Sequence, residues 1–358
     1  MRLGRSPTCA LAAVILAACS AEPGRRGIMH PATPSLSGAP ASLAGRGLAG
    51  LRQDADALEP LVETPWVKRF LRASEALPSI KPRVVYEDTA TGSAYTAAAA
   101  GALPEAQRKA LAARAVDDDF YYTTKYGSPL AYARALDVVA VKANVTGVEG
   151  KRLLDFGYGG VGHLRLLASL GARVTAVDVD PLLTALYGEP EDQGSIKGYD
   201  GAKDGSLALV SGQFPADPRV RAAVGTGYDG FVSKNTLKRG YIHPSQPTDE
   251  RKLIRLGVDD ATFLRTLHDT LKPGAFAMIY NISPAPAAAG KPYIPWADGR
   301  SPFTREDWEA SGFRVLDLDR DDTEAARAQA RALGWDHDPE RPVDIEHDVF
   351  ALYTLVVR

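Results

Sequence analysis

Between Arg152 and Asp180 the chain reads Arg-Leu-Leu-Asp-Phe-Gly-Tyr-Gly-Gly-Val-Gly-His-Leu-Arg-Leu-Leu-Ala-Ser-Leu-Gly-Ala-Arg-Val-Thr-Ala-Val-Asp-Val-Asp. No other stretch restricts the fold as much. Leu153, Leu154 and Phe156 form a short apolar run that stops at Gly157. Leu164, Leu166, Leu167 and Leu170 then recur at helical spacing, with Gly171 placed to end that helix. Val174, Ala176 and Val177 make a second apolar run, ending at Asp178. Strand, glycine turn, helix and strand in that order are half of a doubly wound α/β sheet, which binds ligands at the carboxyl ends of its strands.

The glycines carry separate expectations. Gly157 and Gly159 permit backbone angles closed to other residues and let a ligand lie on the main chain, while Gly162 is expected to let the following helix pack close to the sheet. Gly157, Gly159 and Gly162 satisfy G-x-G-x-x-G, so by themselves they do not separate NAD from another nucleoside cofactor. Asp155 helps to do so. Pyrophosphate calls for N–H groups and a helix N-terminus, whereas a carboxylate suits a cation such as an amino-acid ammonium. Asp178 follows about twenty residues on, where an acid pairs with ribose hydroxyls.

Asp155-Phe-Gly157-Tyr158-Gly159-Gly-Val-Gly162 resembles the glycine-rich first motif of class I S-adenosylmethionine-dependent methyltransferases, and Val177-Asp178-Val179-Asp180-Pro181 resembles their ribose-binding turn. The resemblance implies a doubly wound, seven-stranded, mostly parallel sheet. It also implies S-adenosylmethionine as cofactor, its methionine end on Asp155, Gly157, Tyr158, Gly159 and Gly162, its ribose on Asp178, and its adenine against Val179, Gln213 and Phe214. Gln213 stands where many family members have an acid, and its amide oxygen can accept the same hydrogen bond. Tyr122, Tyr126 and Gly127 become candidate lid contacts, because the segment before the first strand often covers the cofactor in this family. Ser233-Lys234-Asn235-Thr236 resembles the fourth motif, so Asn235 joins the cofactor set. The Asn/Asp-Pro-Pro-Tyr pattern of many enzymes acting on nucleic-acid or glutamine amino groups is absent from that motif, which weighs against a nucleobase substrate; the acceptor is expected to be a small molecule.

Lys238, Tyr241 and His243 follow on a segment expected to face the acceptor. His243 is the general-base candidate, since imidazole titrates near neutrality. Two rival readings stand beside the enzyme: a methyltransferase-fold binding protein without turnover, and an NAD-dependent oxidoreductase.

The remaining elements are expected as follows. Leu51 to Ala76 is helical and broken by Pro60 and Pro65; Lys81 to Tyr86 is extended; Gly92 to Gly101 is ambiguous. Pro104 to Val116 and Leu130 to Ala143 are helices. The third to seventh strands fall at Leu207–Ser211, Phe231–Val232, Ala275–Tyr280, Gly312–Leu318 and Val349–Val357, the last a reversed edge strand. Gly188 to Gly205 and Asn281 to Arg300 are loops, the second a candidate acceptor flap. Asp319 to Glu346 is a polar insertion.

Composition excludes some partners. Forty-two basic against 44 acidic side chains give a net charge of −2, without the basic excess of a nucleic-acid binder. No metal site is expected. The two cysteines, Cys9 and Cys19, both lie in the first twenty residues. There Arg2, Arg5 and the apolar run Cys9 to Ala18 read as an export signal, and Leu16-Ala17-Ala18-Cys19 resembles the lipobox of bacterial lipoproteins. The domain expectation is therefore a signal over 1–19, a tether over 20–50, a helical extension with lid over 51–149, and the α/β domain over 150–358. Lipidation of Cys19 implies a membrane anchor on the periplasmic side, with translation from Met29 and a cytoplasmic product as the alternative. Export conflicts with a cofactor made in the cytoplasm.

Overall fold

The computed structural model of the protein describes residues 47–337 and 343–358. The signal, Cys19, Met29 and most of the tether lie outside the described residues; its last residues, from Gly47, already belong to the helix Gly47–Leu58. Among the described residues no helix is long and apolar enough to cross a membrane.

The strands are β1 (Arg83–Asp88), β2 (Ser93–Thr96), β3 (Ala112–Val116), β4 (Arg152–Phe156), β5 (Arg173–Asp178), β6 (Gly194–Ile196), β7 (Gly205–Ser211), β8 (Tyr228–Lys234), β9 (Leu271–Ser283), β10 (Arg314–Asp321) and β11 (Phe350–Val357). The large sheet has the order β10-β11-β9-β8-β4-β5-β7-β6. β4 pairs parallel with both β5 and β8, β5 with β7, and β8 with β9, while β11 runs antiparallel to β9 and β10. From β4 the chain winds outward through β5 and β7, then returns to the other side of β4 for β8 and β9. The strand order thus reverses at β4, and the crevice at its carboxyl end is the place where such sheets hold ligands.

This is the doubly wound, mostly parallel sheet that the sequence leads one to expect, with two differences. The last strand is reversed as expected but sits inside the sheet, between β9 and β10. An eighth strand, β6, pairs antiparallel with β7 inside the stretch expected to be a loop.

Each strand sends alternate side chains to opposite faces. Leu153 joins a core under the N-terminal helices and the helix Gly162–Ser169, while Leu154 joins a second core with Phe263, Leu264 and Leu267 of the helix Asp260–Thr270. Helices therefore cover both faces. Thr304 caps the helix Arg305–Ala310 through a reciprocal capping box with Asp307.

The extension over 51–149 is helical only in part. Pro60 and Pro65 divide its first helix as expected. Beyond them, β1, β2 and β3 form a separate antiparallel sheet. Pro104 to Val116 is not one helix: Glu105–Lys109 is a single turn, and Ala112–Val116 pairs with β1. The polar insertion contains a further helix, Thr323–Ala332, which buries Ala326, Gln329 and Ala330.

Candidate functional site

The glycine loop leaves β4 with Gly157 at φ 74° and Gly159 at φ 60°, a region that disfavours any side chain. Space is restricted as well. A Cβ on Gly157 would stand 2.2 Å from Thr236 Oγ1, and one on Gly159 2.9 Å from the Tyr126 side chain. Gly162 has a different role from the one expected. Its Cβ would meet Pro129 and the carbonyl oxygen of Tyr122 at 2.6 and 2.7 Å, so it admits the covering segment and not the sheet.

The N–H groups of the loop are already engaged. Gly157 donates to the Val177 carbonyl (2.8 Å) and Gly160 to that of Tyr158 (2.6 Å). Gly159 donates to Asp178 Oδ2 (3.1 Å) and Val161 to the Tyr187 hydroxyl (3.3 Å).

Asp178 ends β5 beside this loop. Its Oδ1 accepts from the N–H groups of Val179 and Asp180, at 2.7 and 3.0 Å, in addition to the Gly159 contact on Oδ2. Three backbone donors thus fix a buried carboxylate at the mouth of the crevice. Asp180 caps the next helix through Leu182 N–H and also binds the Tyr126 hydroxyl (2.6 Å) and Lys125 Nζ (2.8 Å). Those two contacts, with Thr124 Oγ1 donating to the Gly159 carbonyl, hold the segment between β3 and β4 over the loop. Tyr122, Tyr126 and Gly127 all line the cavity beneath it.

The cavity has two lobes. The polar one is bounded by Tyr126, Tyr132, Tyr158, His163, Lys234, Asn235 and Tyr241. Asp155 does not line it. Its Oδ2 is 3.1 Å from His163 Nε2, and its Oδ1 is enclosed without a hydrogen-bond partner. Burial pushes the Asp155 carboxyl above its ordinary value, against the opposing pull of His163. The imidazole in turn stacks on Tyr132 at 3.5 Å between ring centres, so His163 stands where the sequence reading placed the acid. Lys234, at the end of β8, is 8% exposed. Its Nζ lies 5.5 Å from the centre of the Tyr132 ring, and burial pushes the ammonium down to about 8 despite the nearby Asp155.

The second lobe is an apolar slot formed by Phe156, Val177, Val179, Phe214 and Ile254, edged by Gln213 and Arg255. Gln213 donates its amide nitrogen to the Arg255 carbonyl at 2.7 Å, so its oxygen remains as the acceptor. The two lobes share Gly157, Asp178, Thr236 and Ile254.

Downstream of β8 the expectations divide. Asn235 takes φ 61° and accepts the Ile282 N–H on Oδ1 at 2.7 Å, which fixes the turn at the cavity edge. Tyr241 reaches the cavity. Lys238 does not face an acceptor: it is fully buried and gives its ammonium to the carbonyls of Ile282 and Trp296. His243 is the clearest correction. It lines neither lobe and pairs with Asp260 at 2.7 Å on the surface, because the turn Arg239–Ile242 directs it away from the sheet.

His163, Lys234, Tyr132 and Ile254 are among the cavity residues that sequence reasoning missed. Lys234 had a visible signal, a lysine closing a strand of apolar residues. His163 and Tyr132 had none, since their pairing depends on the covering segment.

The sequence matches no protein-family model and no curated protein. Solved structures similar to the chain include an S-adenosylmethionine-dependent methyltransferase from Mesorhizobium loti (19% identity, 64% of this chain and 98% of that one, TM-score 0.34). Others are a methyltransferase of the same dependence from Aquifex aeolicus (18%, 59% and 84%, TM-score 0.30) and Haemonchus contortus phosphoethanolamine N-methyltransferase 2 in complex with S-adenosylmethionine (11%, 81% and 74%, TM-score 0.36). The fold itself is carried by the chain's own strand order.

Proposed function

We propose that this chain is an S-adenosylmethionine-dependent methyltransferase with a small-molecule acceptor. The observation that carries the reading is Asp178, a buried carboxylate oriented by three backbone donors at the sheet's reversal point, between a polar lobe and an apolar slot. A nucleoside with a charged amino-acid tail has that sequence of chemistries: flat ring, vicinal hydroxyls, polar end.

The residues present fit the donor. The slot of Val179, Phe214 and Ile254 matches an adenine, with the free oxygen of Gln213 facing an exocyclic amine. Asp178 suits the ribose hydroxyls as a charge-assisted acceptor. The polar lobe receives the methionine end, and the orphaned Asp155 Oδ1 behind His163 adds negative potential there. When bound, the donor supplies a methyl group on a sulfonium, which is a good leaving group. The protein's part is alignment and exclusion of water, which can supply much of the rate. His243 takes no part in this reading.

A dinucleotide fits poorly. Pyrophosphate needs free N–H groups, and those of Gly157, Gly159, Gly160 and Val161 are already bonded within the protein, with two carboxylates close by. Titration calorimetry with S-adenosylmethionine, S-adenosylhomocysteine and NAD tests the reading. Affinity near the micromolar range for the first two and none for NAD is expected; the reverse order overturns it. The reading extends to an exported enzyme anchored through a lipid on Cys19, supported by the lipobox-like sequence. Recovery of the protein in a membrane fraction, and its release by Cys19→Ser, is the expected result; a soluble product starting at Met29 contradicts it.

A further inference from the structure

We propose that Lys234 receives the carboxylate of the donor's amino-acid end, pairing its ammonium with that group inside the polar lobe. The inference rests on the S-adenosylmethionine reading of the site and adds to it the residue and charge that recognise one end of the donor.

Register places Lys234. Val232 of β8 is level with Asp155 of β4, so Lys234, the last residue of β8, stands beyond the carboxyl end of β4 beside the glycine loop. More than nine-tenths of the residue is buried, and it lines the polar lobe. Lys238, its neighbour along the chain, gives its ammonium to two carbonyl oxygens. Lys234 Nζ has no hydrogen bond to any described residue; it lies near the face of Tyr132 and feels Asp155 only at longer range. An ammonium on so buried a residue, open only toward the lobe it lines and without a hydrogen-bonded partner among the described residues, is poorly solvated at a cost in free energy, and an anionic ligand group in the lobe offsets that cost.

The surrounding charges select among anions. Asp155 lies behind His163, and Asp178 lies at the junction of the lobes. A phosphate would bring one to two negative charges against both. A carboxylate carried on a zwitterionic amino acid brings one, offset by its own ammonium, which lies in the negative potential of the acids without having to touch either. A site with a cation on one wall and acids behind the other is therefore matched to an α-amino acid.

The test compares S-adenosylmethionine with its decarboxylated form, which differs only in the missing carboxylate, by calorimetry on the full chain. The wild type should bind the complete donor at least about tenfold more tightly, the range of a hydrogen bond to a charged group. In Lys234→Met that preference should fall to about threefold or less, with the unliganded melting temperature unchanged or raised because an unpaired cation has gone. Equal affinities in the wild type overturn the assignment and leave the donor reading intact. Failure to bind either compound overturns both. A retained preference in Lys234→Met, with a lower unliganded melting temperature, makes Lys234 a structural residue and removes it from the site.

Discussion

Lys238 and Lys234 are buried cations a few residues apart, and burial drives both below the ordinary lysine range, Lys238 to about 7 with Lys234 adding to its shift, and Lys234 to about 8. In the unfolded chain each regains a value of about 10.4. Between those limits the unfolded state binds more protons than the folded state, so stability rises with pH. Urea midpoints should therefore increase from pH 7 to pH 9. The increase should shrink in Lys238→Met, whatever that variant does to absolute stability by freeing the carbonyls of Ile282 and Trp296. A flat profile in the wild type would show that neither group is desolvated. Asp178→Asn keeps an acceptor for part of the Gly159, Val179 and Asp180 N–H set but loses the charge, so the variant should fold and bind S-adenosylhomocysteine about tenfold or more weakly. Unchanged affinity by calorimetry would remove Asp178 from the ribose site.

Among the elements, the covering segment is the one whose position decides access. The polar lobe encloses about 50 Å³, small beside about 300–1,000 Å³ for typical small-molecule sites, so entry of the proposed donor calls for movement of Tyr126 and its neighbours. Two bonds to Asp180, from the Tyr126 hydroxyl and Lys125, oppose that movement. Tyr126→Phe removes one of them, and stopped-flow association of S-adenosylhomocysteine should accelerate several-fold, the equivalent of about 1 kcal/mol; an unchanged rate would show that the segment does not gate entry. The elements also show where sequence is a sufficient guide. The strand, turn and helix from Arg152 onward are legible because the apolar period changes at glycines whose positive φ the structure confirms. Ala112–Val116 is not, since an alanine-rich run takes its conformation from the neighbour it pairs with, here β1. The helix Thr323–Ala332 hides because its buried face is alanine and glutamine, which leaves little hydrophobic contrast. The site divides in the same way: the glycines and Asp178 announce themselves, while the shielding of Asp155 by His163 depends on Tyr132, a residue of the covering segment's far end.

At the scale of the whole molecule, buried ion pairs join the N-terminal extension to the sheet. Arg83 grips Asp192 with two bonds, and Tyr121 donates to the same carboxylate. Arg134, on the helix Ala133–Lys142, makes a two-pronged pair with Asp322 at the end of β10, where the Tyr280 hydroxyl of β9 also donates. That single carboxylate therefore connects the extension, the central sheet and the C-terminal strands, and the extension's apolar residues share one core with Leu153 and Leu164. The described parts should accordingly unfold together. Arg134→Met leaves Asp322 largely buried with only the tyrosine to answer its charge, and removal of one partner from such a pair typically costs about 3–5 kcal/mol. Chemical unfolding followed by circular dichroism and by tryptophan fluorescence, which reports on Trp66 in the extension and on Trp296, Trp308 and Trp335 in the α/β domain, should show one coincident transition in the wild type. The same coincidence should persist in Arg134→Met at a lower midpoint. Two separated transitions in the wild type would mean that the extension folds independently, and that Tyr126 and Tyr132 are delivered to the cavity by a domain free to leave it.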